Sequence, residues 1–215
     1  ILLGGVPGVA AAKVVVLGGG VSGSNAARMA MGMEAQVTVI DKSLPRLYAL
    51  DMNFGSRLQT LFATTENIER QVVDADLVIG AVLVPGAAAP KLIGRDLVRR
   101  MRPGSVIVDI AIDQGGCCET SRPTTHDRPV FVEEGVIHYC VTNMPGAVAR
   151  TSTIALNNAT LPFALALADK GWRKALADDA NLRNGLNVAG GAIAHEAVAR
   201  EFGLTFSDPA RLLGA

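Results

Sequence analysis

Apolar positions along the first 145 residues follow two alternating rhythms: short β-branched runs, and longer stretches in which apolar residues return every three or four positions. Lys13-Val14-Val15-Val16-Leu17 is apolar without alternation, the pattern of a strand buried on both faces. Val21 to Met31, rich in Ala and Met, predicts a helix that opens on a glycine turn. Gln36 to Ile40 predicts a second strand, ending at Asp41. Leu44, Leu47, Tyr48, Leu50 and Phe54 stand close to helical spacing. A weak strand over Leu58–Phe62 and a short helix over Glu66–Val73 follow. Leu77 starts another buried strand, expected to continue through Val84. Asp96–Met101 predicts a helix stopped by Pro103-Gly104, and Ser105–Ile112 and Ile137–Val141 predict the last two strands.

Strand, crossover helix and strand at this spacing imply an α/β fold: a Rossmann-type, doubly wound parallel sheet with right-handed connections. Past Thr151 the β-branched runs vanish, and helices are expected near Ser152–Ala168, Trp172–Asp178 and Ala192–Phe202. The expected division is 1–147 and 148–215. The tail is too small for a comfortable domain of its own and is expected to pack against polypeptide outside this chain.

Composition narrows the function. Of 215 residues, 49% are hydrophobic and 19% charged, enough for a sizeable core and unlike a disordered chain. Lys+Arg and Asp+Glu both number 20, and this balance argues against a protein that coats nucleic acid or an anionic membrane. One Trp and two Tyr give no stacking platform for single-stranded nucleic acid. Mean hydropathy is +0.31. Even so, the longest apolar run, Leu77 to Pro90, is broken by Gly80, Pro85 and Gly86 and falls short of the roughly 18–20 residues of a membrane span. Cys117, Cys118 and Cys140 form neither an even disulfide set nor a CxxC metal spacing, so they read as reduced thiols of a cytoplasmic protein with no metal site. No secretory pattern opens the chain, and Ile1-Leu2-Leu3 running into Gly4-Gly5-Val6-Pro7-Gly8 reads as the interior of a longer protein.

The sharpest local signal is Gly18-Gly19-Gly20-Val21-Ser22-Gly23, a G-x-G-x-x-G between a buried strand and a helix. In that pattern the first glycine permits the tight turn, the second lets a pyrophosphate approach bare backbone, and the third lets the helix sit close to the sheet. The amides of Val21, Ser22 and Gly23 at the helix start then favour the phosphate charge. Asp41 follows the last glycine by 18 residues, at the end of the next strand. A carboxylate there accepts hydrogen bonds from ribose hydroxyls and repels a 2′-phosphate, which favours NAD over NADP. Lys42 and Arg46 stand nearby as cations at the adenosine edge or the surface.

Ligands of open α/β sheets bind outside the carboxyl ends of the strands. Three segments fall there: Ala81 to Gly86, Asp109 to Gly116, and Asn143-Met144-Pro145-Gly146. Asp109 and Asp113 are four apart, so one is a candidate loop cap and the other a candidate acid/base. Asp113, followed by Gln114-Gly115-Gly116, is the better placed to enter a cleft. His126, His138 and His195 are read as structural or solvent-exposed, and Ser22 and Ser121 lack a base partner, which leaves a hydrolase unsupported.

At this point the residues resemble the alanine dehydrogenase family. The matching stretches are Gly4 to Val9, the glycine loop through Arg28, Ala75 to Gly86, Val108 to Cys117 with its Asp113-Gln114-Gly115-Gly116, Ser121 to Thr125, and Asn143-Met144-Pro145 leading to Thr151-Ser152-Thr153. The resemblance implies reversible oxidative deamination of L-alanine to pyruvate and ammonia with NAD. It implies Asp113 as catalytic acid/base that also touches the cofactor. It implies a cofactor site of Gly18, Gly20, Val21, Ser22, Gly23, Asp41, Arg46, Val82, Leu83, Ile110, Asn143 and Met144. It further implies a homo-oligomer, commonly a hexamer, and a split substrate domain to which the C-terminal helices belong. The family's substrate-clamping Arg and Lys and its catalytic His lie in an N-terminal segment absent here, so the chain alone is expected to bind NAD without oxidising alanine efficiently. Two alternatives stand beside this reading: the NAD-binding component of proton-translocating transhydrogenase, and a non-catalytic NAD-binding module.

Overall fold

A computed structural model describes residues 1–84 and 88–214. They form two compact units, Ile1–Met144 and Pro145–Ala215.

The first unit is built on β1 (Lys13–Leu17), α1 (Val21–Gly32), β2 (Gln36–Asp41), α2 (Leu44–Phe54), β3 (Leu58–Phe62), α3 (Thr65–Val73), β4 (Leu77–Gly80), α4 (Arg95–Arg100), β5 (Val106–Asp109), β6 (Val130–Glu133) and β7 (Val136–Tyr139). The strands form one sheet in the order β3-β2-β1-β4-β5-β7-β6. Every neighbouring pair is parallel except β6 with β7. The chain moves outward from β1 to β2 and β3, then returns to the other side of β1 as β4. The switch point of the sheet therefore lies between β1 and β4, where ligands of this topology bind.

Strand β1 explains the layering. Val15 and Leu17 pack on one face with Ile68, Val72, Leu97 and Val98 from α3 and α4. Val14 and Val16 pack on the other with Ala27, Ala30 and Met31 from α1 and Leu50 from α2. Both faces of the strand are covered, hence its unbroken apolar run.

Several elements differ from the sequence expectation. Strand β4 stops at Gly80 and does not reach Val84. A Cβ at Gly80 would lie 2.3 Å from Cys117 Sγ, so the loop after β5 packs directly against this last strand residue. Strand β5 stops at Asp109, and Ile110–Gln114 curls into a 3-10 turn instead of extending to Ile112. Strand β6 is an element the apolar pattern does not predict. It pairs with β7 across Glu134-Gly135, whose φ values of +51° and +78° suit the two-residue turn that matches strand twist.

In the second unit α5 (Ala149–Asp178) breaks at Gly171, where φ is +72°. After α6 (Ala180–Arg183) comes a small hairpin, β8 (Val188–Ala189) and β9 (Ala192–Ile193). Helix α7 (Glu196–Glu201) is capped by His195, and α8 (Pro209–Leu212) closes the unit. The helix expected from Ala192 is thus shortened, because Gly190-Gly191 makes the hairpin turn with φ of +58° and +82°.

Candidate functional site

The carboxyl ends of β1, β2, β4, β5 and β7 carry the sequence-predicted residues. At the end of β1, Gly18 turns with φ +96°, and a Cβ on it would stand 2.7 Å from the Ala81 carbonyl oxygen. A Cβ on Gly23 would stand 1.8 Å from the Gly18 carbonyl oxygen, so α1 presses directly on the turn. Gly20 is different: nothing lies within 4 Å of a Cβ built on it. The turn and the helix contact account for the first and third glycines through packing. Packing gives no reason for the second, whose open face is the approach a pyrophosphate needs. Gly20 is also the N-cap of α1, and no side chain caps the first turn. The exposed Val21 and Ser22 begin a helix whose first amides are left for an anion.

Asp41 at the end of β2 is tied into this loop. Its Oδ2 accepts from Gly19 N at 2.7 Å and its Oδ1 from Ser43 N at 2.8 Å. One backbone donor on each oxygen leaves lone pairs for a diol. Arg46 lies on the same loop, with Nε donating to the Gly19 carbonyl and Nη2 to the Gly20 carbonyl at 3.3 Å and to Ser24 Oγ at 3.0 Å. This guanidinium is engaged by backbone oxygens and Ser24, a residue that sequence reasoning passed over. Ser24 Oγ in turn donates to the Gly20 carbonyl at 2.7 Å. Gly19 is therefore held at its N–H by a carboxylate and at its carbonyl by a guanidinium.

On the other side of the switch point, Val82 is half-buried against Ala89, Ala111 and Cys117, while Leu83 is exposed. Pro85 and Gly86 of the expected loop lie outside the described residues. Ile110 packs against the core on the α1 side of the sheet. Asp113, in the 3-10 turn, is exposed and makes no hydrogen bond among the described residues. Asn143 is exposed with φ +55°, a conformation Asn tolerates, and its carbonyl meets His126 Nε2 at 3.1 Å. Met144 beside it is half-buried.

Of the two aspartates, Asp109 is the one that holds the loop after β5. It is fully buried, and its Oδ2 accepts from Cys117 N at 2.9 Å, Cys118 N at 3.2 Å and Ser121 Oγ at 2.6 Å. Burial, and then the charge of Asp109, push the Cys117 thiol well up, so it stays protonated. All three cysteines are free and buried. His138 is buried too, with Nδ1 at 3.0 Å from the Val136 carbonyl and Nε2 at 2.7 Å from Thr120 Oγ1. A carbonyl only accepts, so Nδ1 donates and Nε2 accepts; burial holds this imidazole below its ordinary value. It is a core residue, as the sequence suggested. His195 serves as the cap of α7.

A concavity of about 540 Å³ lined by Lys13, Gln36, Gln59 and Arg70 opens at the amino ends of the strands, away from every residue above. No helix among the described residues is long and apolar enough to cross a membrane.

Residues 1–196 match the family model described as "Alanine dehydrogenase/PNT, C-terminal domain". Alanine dehydrogenase of Halomonas elongata is 64% identical over 214 residues, which is 100% of this chain and 58% of that protein. A solved L-alanine dehydrogenase superposes with a TM-score of 0.87 at 54% identity, covering 94% of this chain and 56% of its own. A transhydrogenase from Sinorhizobium meliloti is more distant, with a TM-score of 0.67, 27% identity, and coverage of 87% of this chain and 50% of its own. The chain thus spans well under two thirds of the length of these relatives. The glycine loop with its open second position, and the acid at the neighbouring strand end, fit the dinucleotide NAD that such relatives imply. This chain belongs to the alanine dehydrogenase/PNT C-terminal domain family.

Proposed function

We propose that this chain is the NAD-binding part, residues 1–147, and the returning C-terminal helices, residues 148–215, of an enzyme that reversibly deaminates L-alanine to pyruvate and ammonia. The observation that carries the reading is Gly20, a glycine with no steric reason to be one, flanked by uncapped α1 amides and by Asp41. NAD held there supplies a hydride acceptor. Gly18, Gly20, Val21, Ser22 and Gly23 hold the diphosphate, Asp41 the adenosine ribose, and Arg46 fixes the loop at the adenosine edge. Val82, Leu83, Ile110, Asn143 and Met144 border the nicotinamide side. Asp113, exposed at the carboxyl end of β5, exchanges a proton with the amine or with the water that replaces it. The remaining substrate groups come from the part of the relatives' length that these residues do not span.

The transhydrogenase reading has its own support in the 27% identity to that neighbour, but identities above 50% and the Ser121-Arg122-Pro123-Thr124-Thr125 segment favour the dehydrogenase. Reduced thiols and a zero net charge fit a cytoplasmic enzyme. Exposed Ile154, Leu156, Leu165 and Phe163 on α5 fit burial in a homo-oligomer, a hexamer by family resemblance. Alanine-dependent NADH formation by the full gene product tests the activity. Hydride exchange between NADH and an NADP analogue, with no turnover of alanine, would favour the transhydrogenase; NAD binding without either reaction would favour a non-catalytic module.

A further inference from the structure

We infer that Lys91 is a positioning residue for Asp113, acting through the Gly115–Cys118 backbone; this rests on Asp113 being the acid/base of the proposed reaction. Lys91 Nζ donates to three carbonyls of one segment, Gly115 at 2.6 Å, Gly116 at 2.9 Å and Cys118 at 3.2 Å. An ammonium has three protons, so its donor capacity is fully used on this loop. It forms no ion pair among the described residues.

The amides of the same segment point to the opposite charge. Cys117 N and Cys118 N donate to Asp109 Oδ2, which is fully buried. The peptide joining Gly116 to Cys117 thus places its carbonyl on an ammonium and its N–H on a carboxylate. Lys91 and Asp109 thus stand at opposite ends of one peptide unit, whose dipole is aligned between the two charges. A Cβ on Gly116 would come within 2.7 Å of that Asp109 oxygen, so the residue must be glycine for the carboxylate to reach the amides.

This matters because the loop's conformation rests on hydrogen bonds and not on intrinsic preference. Gly115 and Gly116 have φ of +87° and +76°, and two consecutive glycines have little preference for one conformation. The exposed Asp113 side chain makes no hydrogen bond among the described residues, so its position follows the turn it sits in. The turn is joined to the clamped segment by Gly115 N to the Ile112 carbonyl at 2.9 Å and Gly116 N to the Ala111 carbonyl at 3.0 Å. Lys91 is in turn placed by the stretch before α4, where Ala89 N donates to the Gln114 carbonyl and Leu92 N to the Cys117 carbonyl, both at 2.8 Å. With the ammonium gone, the glycine pair relaxes and the carboxylate drifts, while the diphosphate cradle on β1 is untouched.

The test compares Lys91→Met, Lys91→Gln and Lys91→Arg with wild type in the full gene product. It uses L-alanine kinetics, NADH titration, and the isotope effect with alanine deuterated at Cα. A displacement on the scale of an ångström lowers kcat by about 10- to 100-fold. The expected pattern is that loss in the Met and Gln variants, an NADH Kd within about twofold of wild type, a larger isotope effect, and partial recovery in the Arg variant. Lowered NADH binding and thermal midpoint together with an unchanged isotope effect in both the Met and Gln variants mark lost fold instead of position and would overturn the inference. So would a kcat within about twofold of wild type. Should the Met variant fail to fold, the Gln variant, which keeps two donors, decides by the same readings. No alanine turnover in the wild type overturns the functional reading and the role of Lys91 with it, whereas wild-type turnover that survives these substitutions removes Lys91 alone.

Discussion

Replacing Gly20 with alanine adds one methyl group at the point where the backbone of the glycine loop faces open space. Gly20 has φ −64° and ψ −164°, an extended conformation open to any residue. No heavy atom lies within 4 Å of the added carbon. The free protein therefore accepts the change, and the lower entropy of the unfolded chain stabilises it by about 0.4–1 kcal/mol. A bound diphosphate does not accept it. The methyl stands between the phosphate oxygens and the α1 amides, and losing one charge-assisted hydrogen bond costs about 1.5–3 kcal/mol. NADH affinity is expected to fall roughly 10- to 100-fold. Gly23→Ala is the counterpart: its methyl would sit 1.8 Å from the Gly18 carbonyl oxygen, so α1 must lift from the sheet. Overpacking of this kind costs about 3 kcal/mol or more, a loss of roughly 6–12 °C in thermal midpoint for a chain of this size. NADH fluorescence titration and thermal unfolding, run on both variants, separate the two roles. Wild-type NADH affinity in Gly20→Ala would refute the argument, as would a destabilisation equal to that of Gly23→Ala.

Other expectations follow from the same geometry. Asp41→Asn keeps the shape but not the charge, and is expected to weaken NADH binding about 10-fold or more while narrowing the preference over NADPH; parallel titrations with both coenzymes check it. Asp109→Ala leaves the amides of Cys117 and Cys118 and the Ser121 hydroxyl without their acceptor. At about 1–3 kcal/mol for each buried donor, the loss is about 4 kcal/mol or more, read as the urea midpoint. His138 is held below the ordinary imidazole value of 6.5 by burial, so below that pH the unfolded chain binds more protons than the folded one. Stability is then constant above 6.5 and falls as pH drops through the folded value; a thermal midpoint that stays flat or rises on acidification contradicts this. The 215-residue chain alone is expected to bind NADH without oxidising alanine efficiently, and robust alanine-dependent NADH formation by it would count against the split site.

Much of this protein was legible in order of residues alone. A strand covered on both faces must be apolar at every position, so Val14 to Leu17 announced a buried parallel strand, and the helices between such runs dictated a doubly wound sheet. The glycine spacing and Asp41 needed only the local chain to be recognised, because turn, helix start and next strand are all within 25 residues of each other. Elements whose cause is local were found, including the break between helices at Gly171.

What escaped depends on segments distant in sequence. The end of β4 meets Cys117 from the loop after β5, and β6 pairs with β7, four residues against four. Nothing near Asp109 reveals that it is enclosed and collects three donors from a loop, whereas Asp113, the same residue type four positions on, stands in solvent. Lys91 belongs to no motif in the sequence. Its three carbonyl partners lie 24 to 27 positions away, and only the packing of the stretch before α4 against the loop after β5 brings them to it. Periodicity reports which face a residue turns to the core, but the partner it meets there is set by how the chain crosses back, and hydrogen bonds across such crossings leave no mark on local spacing.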